Sequence, residues 1–281
     1  MTTKFGHSKQ SKTVFSVDQI DAYSPTLIPT VSVVIPALNE ARNLPSVFSA
    51  LPRNLHQVIL VDGGSTDDTV KIALELRKDV CIVQQTYQGK GNALACGFAE
   101  ATGDIIVTLD ADGSSDPKEI PIFVAALTAG EADFAKGSRF LDGGGSSDIT
   151  SIRSWGNRLF TILVNLFFHT HFSDLCYGYN AFWRSYLPAF GLDEGAHVGD
   201  GFEIETLINI RAIKLGLSVI EVPSFERERI YGKSNLRAIP DGIRVIKTIM
   251  RELRTPLQIT ENMDELTANI QRTSDETELS A

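Results

Sequence analysis

Apolar residues in the first part of the chain fall in short unbroken runs, each followed by a stretch in which they recur at helical spacing. Val31-Ser-Val-Val-Ile-Pro36 is the first run. Leu44, Val47, Phe48 and Leu51 follow it at helical intervals, with Asn39 as the expected helix start. Gln57-Val-Ile-Leu-Val61 leads in the same way to Ile72, Leu74 and Leu76, and Ser65 with Asp68 reads as a capping box before that helix. Val80-Cys-Ile-Val83, a helix over about 92–100 and Asp104-Ile-Ile-Val-Thr-Leu109 complete the series. Strands apolar throughout are buried on both faces. Alternating with helices, they predict an α/β fold with a mostly parallel central sheet flanked by helices.

After Asp133-Phe-Ala-Lys136 the rhythm loosens. The Gly-rich loop Asp142-Gly-Gly-Gly-Ser-Ser147 precedes a helix over 152–168, whose apolar face (Trp155, Leu159, Phe160, Leu163, Val164, Phe167, Phe168) is expected to pack in the core. A loop-rich segment, 175–202, leads to a helix over 202–215 and the strand Ser218-Val-Ile-Glu-Val222. The last helix, near 239–254, carries Ile239, Ile243, Ile246, Met250 and Leu253 on one face and Arg237, Arg244, Lys247, Arg251 and Arg254 on the complementary face. A basic amphipathic helix suits an anionic membrane surface, and equally suits a helix packed on its own domain with a solvated face. Residues 1–28 read as a disordered arm and 256–281, with six acids and one Arg, as a disordered acidic tail.

Composition narrows the function classes. With 281 residues, 43% hydrophobic and 22% charged, the chain can bury a core without help from disulfides or metals. Its net charge of −9 argues against a nucleic-acid partner, which needs a basic footprint. Three widely spaced cysteines form neither a zinc motif nor a disulfide framework, which fits a reduced, cytoplasmic compartment. The N-terminus lacks the apolar core of a signal peptide. The greasiest stretch, 159–168, falls well short of the roughly 20 residues of a spanning helix.

In an open parallel sheet, ligands bind beyond the carboxyl ends of the strands. Those ends carry Pro36-Ala-Leu-Asn-Glu40, Asp62-Gly-Gly-Ser-Thr66 and Asp110-Ala-Asp112. Carboxylates gathered on one sheet edge suit Mg²⁺ or Mn²⁺, whose other positions go to water and substrate phosphates. Helix capping is the competing role for such Asp residues, and it fits Asp62 and Asp112 poorly. Gln88-Gly-Lys-Gly-Asn92 lacks the phosphate-loop frame, and no G-x-G-x-x-G follows the first strand. A nucleoside-diphosphate site without a phosphate loop remains.

Val33-Val-Ile-Pro-Ala-Leu-Asn-Glu40, Val61-Asp-Gly-Gly-Ser-Thr-Asp67, Gly89-Lys-Gly-Asn-Ala93 and Leu109-Asp-Ala-Asp112 resemble, in order and spacing, the nucleotide-sugar domain of glycosyltransferase family 2. Gly137-Ser-Arg139, Gly201-Phe-Glu-Ile-Glu205 and Arg229-Ile-Tyr-Gly-Lys-Ser234 extend the likeness to the branch containing dolichyl- and polyprenyl-phosphate sugar synthases. The resemblance implies a GT-A fold over 29–255, with a nucleotide-sugar half to about 137 and an acceptor half beyond it. It also implies metal-dependent inverting transfer from a UDP- or GDP-sugar to a polyprenyl-phosphate-like acceptor. On that pattern Pro36, Ala37, Asn39, Glu40, Asp62, Lys90, Asp110 and Ala111 line the nucleotide sugar, and Asp110 and Asp112 hold Mg²⁺ or Mn²⁺. Arg139 and Arg153 grip the acceptor phosphate, and Arg229 and Lys233 clamp the diphosphate from a loop expected to order only when donor is bound. Glu203 or Glu205 faces the site, since the two cannot share one helical face, and both stand with Asp112 and Arg139 as catalytic candidates.

The chain departs from the pattern at Gly113-Ser114, Tyr177, Asn180 and Asn235. A hydroxyl acceptor would need a general base, for which Asp200, Glu203 and Glu205 are available; a phosphate acceptor is already an anion and needs cations instead. The competing functions are transfer to a hydroxyl of a glycan or small molecule, a sugar-1-phosphate nucleotidyltransferase, and a binding protein without activity. A nucleotidyltransferase should carry a Gly- and Arg-rich loop after strand one, which Pro36-Ala-Leu-Asn-Glu40 is not. Intact Asp110, Asp112, Arg139 and Arg229 argue against the inactive protein.

Overall fold

The structure, a computed structural model, describes residues 28–192, 201–232, 234 and 236–255. The expected arm, the acidic tail, Asp200, Lys233 and Asn235 lie outside the described residues, apart from Ile28 at the arm's end. The chain begins with β1 (Val31–Ala37), α1 (Leu44–Ala50), β2 (Gln57–Asp62), α2 (Thr69–Leu76), β3 (Cys81–Gln84), α3 (Lys90–Ala99) and β4 (Ile105–Thr108). It continues through α4 (Ile120–Thr128), β5 (Phe134–Ser138), β6 (Gly145–Ser146), α5 (Ser151–Phe168), β7 (Asn180–Trp183) and α6 (Leu187–Phe190). The last elements are α7 (Glu203–Lys214), β8 (Val219–Pro223), β9 (Phe225–Glu226) and α8 (Ala238–Arg254).

The main sheet has the order β3-β2-β1-β4-β7-β5-β8. Only β7 runs antiparallel to its neighbours, β4 and β5; every other pairing in the sheet is parallel. The mostly parallel sheet expected from the sequence is present. Along β1, Val33 and Ile35 enter one core with Leu60, Phe123 and Tyr179, while Val34 enters the other with Ile59, Phe98 and Phe182. Both faces are therefore covered, which is why these strands show no alternation.

Two local expectations are corrected. Asn39 does not start a helix: it sits at φ +58, a left-handed conformation that Asn tolerates, and α1 begins at Leu44. Nor is Ser65 a helix cap. Its Oγ accepts the Asn39 N–H at 2.9 Å, tying two strand ends together, and α2 starts after Asp68 without a side-chain cap.

The outer helices hold the largest difference. Val164 of α5 is buried with Phe172, Leu175, Ile210, Val245 and Ile249, and Phe160 packs against that cluster. Trp155, Leu159 and Phe167, expected in the core, are exposed, and Trp155 keeps 75% of its surface. On α8 the buried residues are Asp241, Val245, Thr248, Ile249 and Glu252, whereas Ile239, Ile243, Ile246, Met250 and Leu253 are exposed. The apolar stripe read from the sequence thus faces away from the domain. Among the described residues no helix is long and apolar enough to cross a membrane.

Candidate active site

The carboxyl ends of β1 and β4, with the start of α3, surround a cleft of about 380 Å³. Pro36, Ala37 and Glu40 come from β1 and its turn, Lys90 from α3, and Asp110, Ala111 and Asp112 from the turn after β4. Arg139, Arg153, Glu205 and Arg229 close the cleft from the second half of the chain. Eleven expected site residues thus share one cavity.

Two cations organise its charge. Lys90 Nζ lies 2.6 Å from Asp110 and 2.7 Å from Glu205. Burial opposes the ammonium, but the two carboxylates outweigh it and hold Lys90 above its ordinary range. Gly178 makes this approach possible: a Cβ there would stand 2.7 Å from Glu205 Oε1 and 3.0 Å from Lys90 Nζ. Arg229 reaches from the other wall, with Nη1 2.6 Å from Glu40 and Nη2 2.9 Å from Asp112. Burial pushes the carboxyls of Glu40 and Glu205 up, against the pull of their cationic partners. The loop carrying Arg229 is docked as well: Tyr231 N–H donates to Asn43, and Arg42 lies over the Tyr231 ring at 4.0 Å. These contacts hold Arg229 and Tyr231 against the segment between β1 and α1.

Asp110 and Asp112 stand on one short turn, and Asp112 with Glu40 already surrounds a cation, the Arg229 guanidinium. This set of hard oxygen ligands fits a divalent ion that keeps most of its positions for water and phosphate. Among the described residues no group of three or more His, Cys, Asp or Glu side chains is placed to hold a metal ion, so the protein would supply the Asp110–Asp112 turn and the substrate the rest.

Other candidates have structural partners. The Asp62 carboxylate accepts the Ser65 N–H through both oxygens, at 3.1 and 3.2 Å, and so holds the turn after β2 rather than capping a helix. Asn39 Oδ1 accepts the Thr66 N–H at 2.8 Å. Neither side chain lines the cleft, and nor does Glu203, which is buried and leaves Oε2 without a hydrogen-bond partner. Arg139 lines the cleft yet is buried. Its Nε and Nη2 donate to the two oxygens of Asp174 at 2.7 and 3.0 Å, and its Nη1 to Glu226 at 3.1 Å. Arg153 pairs with Asp148 at 2.9 Å.

A second cleft, of about 490 Å³, opens between α5 and α8 beside the first. Its walls are mainly apolar and include Ile152, Trp155, Leu159, Ile162, Ile239 and Val245. Arg139, Arg153, Cys176, Phe202, Leu236 and Asp241 line both cavities. Sequence reading missed this junction, although the apolar helix faces and the basic stripe that build it were visible.

The mostly parallel α/β sheet with a cleft at its strand ends is the architecture of a GT-A glycosyltransferase. The glycosyl transferase family 2 model matches residues 32–190, and the chain belongs to that family. It is 33% identical to the polyprenol monophosphomannose synthase of Mycolicibacterium smegmatis over 220 residues, 73% of this chain and 80% of that one. An uncharacterised glycosyltransferase of Mycobacterium bovis is 40% identical over 109 residues, 39% of this chain and 48% of its own length. Among solved structures, glucosyl-3-phosphoglycerate synthase from Mycobacterium tuberculosis, in complex with Mn²⁺, UDP and phosphoglyceric acid, superposes with a TM-score of 0.63. That match covers 81% of this chain and 80% of that one at 24% identity, which establishes the shared fold.

Proposed function

We propose that the protein transfers a sugar from a UDP- or GDP-sugar to a polyprenyl phosphate, with inversion at the anomeric carbon and with Mg²⁺ or Mn²⁺ bound. The observation that carries the acceptor class is the continuity of the polar cleft with the apolar one. A polyprenyl phosphate is a charged head on a greasy chain, and this pair of joined cavities matches it end for end. The polyprenol-phosphate enzyme among the relatives supports the same class. The phosphoglycerate enzyme among the structural neighbours keeps a small soluble acceptor as the second reading.

Each residue then has a task. Pro36, Ala37, Glu40 and Ala111 form the nucleotide wall. Asp112, with Asp110, would hold the metal, which when bound supplies Lewis-acid neutralisation of the leaving diphosphate. The crystal structures of the phosphoglycerate enzyme with Mn²⁺ or Mg²⁺ and UDP support a divalent ion of this kind. Lys90 and Arg229 meet the diphosphate as it gains charge, with Lys233 assigned to the same loop. An acceptor phosphate oxygen attacks the anomeric carbon, the carbon–oxygen bond to the diphosphate breaks, and the nucleoside diphosphate leaves. No proton has to be removed from the acceptor. This agrees with a Glu205 carboxylate committed to Lys90 rather than free to act as a base. The exposed apolar stripes of α5 and α8, flanked by Arg and Lys, support peripheral contact with a membrane that holds the acceptor.

The test is a scan of radiolabelled UDP- and GDP-sugars with polyprenyl phosphate and Mn²⁺ or Mg²⁺. Label extracted into organic solvent supports the reading. Label found only in water-soluble products on phosphoglycerate overturns the lipid acceptor, and no transfer from any nucleotide sugar overturns the function.

A further inference from the structure

The chain departs from its family pattern at positions far apart in sequence, yet three of them, Gly113, Ser114 and Tyr177, gather around the turn that carries Asp112. Gly113 sits at φ +79, and a Cβ there would stand 2.7 Å from Ile230 Cδ1, so neither the backbone nor the space admits a side chain. The Ser114 N–H donates to Asp112 Oδ1 at 3.0 Å, and the Ser114 carbonyl accepts the Arg227 N–H at 2.8 Å. The Ile230 N–H reaches the Asp112 carbonyl at 3.4 Å. The segment after β9, which brings Arg229 to Asp112, is therefore laid along this turn.

Tyr177 joins the same two segments by a second route. It lines the cleft and is 3% exposed, with its ring 4.9 Å from the Arg139 guanidinium. Its hydroxyl lies 3.1 Å from Ser115 Oγ and 3.0 Å from Oγ of Ser224, the residue between β8 and β9. Each hydroxyl has one proton, and Ser224 spends its own on the Glu119 carboxylate. Tyr177 must then donate to Ser224, and Ser115 to Tyr177. Three buried hydroxyls run head to tail into a carboxylate, an arrangement in which each bond strengthens the next. Together with the backbone bonds they close a circuit: the Asp112 turn, Tyr177, Ser224, β9, Arg227 and back to the turn.

We propose that Tyr177 is a positioning residue: its hydroxyl braces the Asp112 turn against the β8–β9 junction and so sets the spacing between Asp112 and Arg229. That spacing matters because Asp112 is assigned to the metal and Arg229 to the departing diphosphate, and electrostatic help of this kind depends on groups fixed in place beforehand. A phenyl ring in place of Tyr177 would keep the packing against Arg139 and lose only the brace. The assignment rests on the reading of Asp112 as a metal ligand and adds to it the side chain that holds the ligand turn in register.

Isothermal titration of the full chain with UDP and with GDP, in Mn²⁺ and in EDTA, tests it. Wild type should bind its nucleotide more tightly with Mn²⁺. Tyr177→Phe should weaken the Mn²⁺-supported binding by ~3- to 10-fold, the worth of one hydrogen bond, while binding in EDTA stays within ~2-fold of wild type. Ser115→Ala breaks the same chain without touching the tyrosine and should give the same loss, and the double variant should be no worse than either. Tyr186→Phe is the control, since it removes a hydroxyl bonded to Asp133 at 2.8 Å, outside the cleft. It should lower the melting temperature as Tyr177→Phe does, yet leave both affinities alone. If Tyr177→Phe and Ser115→Ala also leave the Mn²⁺-supported affinity unchanged, the hydroxyl chain serves the fold alone and the proposal is overturned. A wild type whose nucleotide affinity ignores Mn²⁺ overturns the metal reading, and the role of Tyr177 falls with it.

Discussion

Lys90 and Glu205 form a 2.7 Å ion pair beneath the cleft, joining the first turn of α3 to the first turn of α7. The pair links the nucleotide half of the chain to its acceptor half. Glu205 is 3% exposed, so removal of its partner leaves a buried, uncompensated carboxylate. Lys90→Met should cost about 3–5 kcal/mol of stability, and the Lys90→Met, Glu205→Gln double variant should regain much of it. Urea unfolding of the four proteins in the cycle measures the coupling; additive losses would mean that the pair does not hold the halves together.

The Arg139–Asp174 pair makes a prediction with a definite sign in pH. The Arg139 guanidinium outweighs the burial that would raise the Asp174 carboxyl and holds it below its ordinary value of 3.8. A carboxyl lowered in the folded state contributes stability above its unfolded value and loses that contribution as pH falls through its folded value. The stability gap between wild type and Asp174→Asn should be constant from neutral pH down toward 3.8 and shrink only below it. Arg139→Ala should be strongly destabilising by the same logic, whereas Arg153→Ala, at a partly exposed pair, should cost less than about 1 kcal/mol. Equal losses in the two Arg variants would contradict the distinction.

Gly178 has no space for a side chain. Gly178→Ala pushes a methyl group against Glu205 Oε1 and Lys90 Nζ, and should cost about 1–3 kcal/mol by overpacking; unlike Gly130→Ala, whose cost comes only from a φ of +71 away from the cleft, it should also lower turnover. Thermal melts and transfer rates on both variants check it.

Much of this architecture is legible in the sequence because it follows from periodicity. Strands β1, β2 and β4 are apolar throughout since they are buried on both faces, and the turns after β1 and β4 carry the acidic residues that line the cleft. Strand β7 is not legible. Asn180-Ala-Phe-Trp183 is short and lies inside a loop-rich stretch, and its antiparallel place between β4 and β5 is decided by tertiary pairing. Asp62 and Asn39 carry the motif but spend their side chains on turn N–H groups, a distinction that spacing cannot make. The stripe Ile239, Ile243, Ile246, Met250 and Leu253 is equally clear in the sequence. Its direction is not, because Val245, Ile249, Thr248 and Glu252 face the domain instead.

The proposed membrane contact makes a prediction at that outward stripe. Ile243→Glu with Ile246→Glu should leave the melting temperature within a few degrees, since both positions are exposed. The same variant should lose most of its cosedimentation with anionic vesicles and much of its activity on acceptor embedded in them. Unchanged vesicle binding would assign the stripe to another partner.

The central claim is that one site joins a nucleotide-sugar cleft to a greasy one, so that the acceptor is a phosphate on an isoprenoid chain. The most direct measurement is transfer of labelled sugar, under one set of conditions, to polyprenyl phosphate, to the matching polyprenol and to phosphoglycerate. The account predicts transfer to polyprenyl phosphate alone, abolished in Asp112→Asn. Equal or faster transfer to the alcohol or to phosphoglycerate would contradict it.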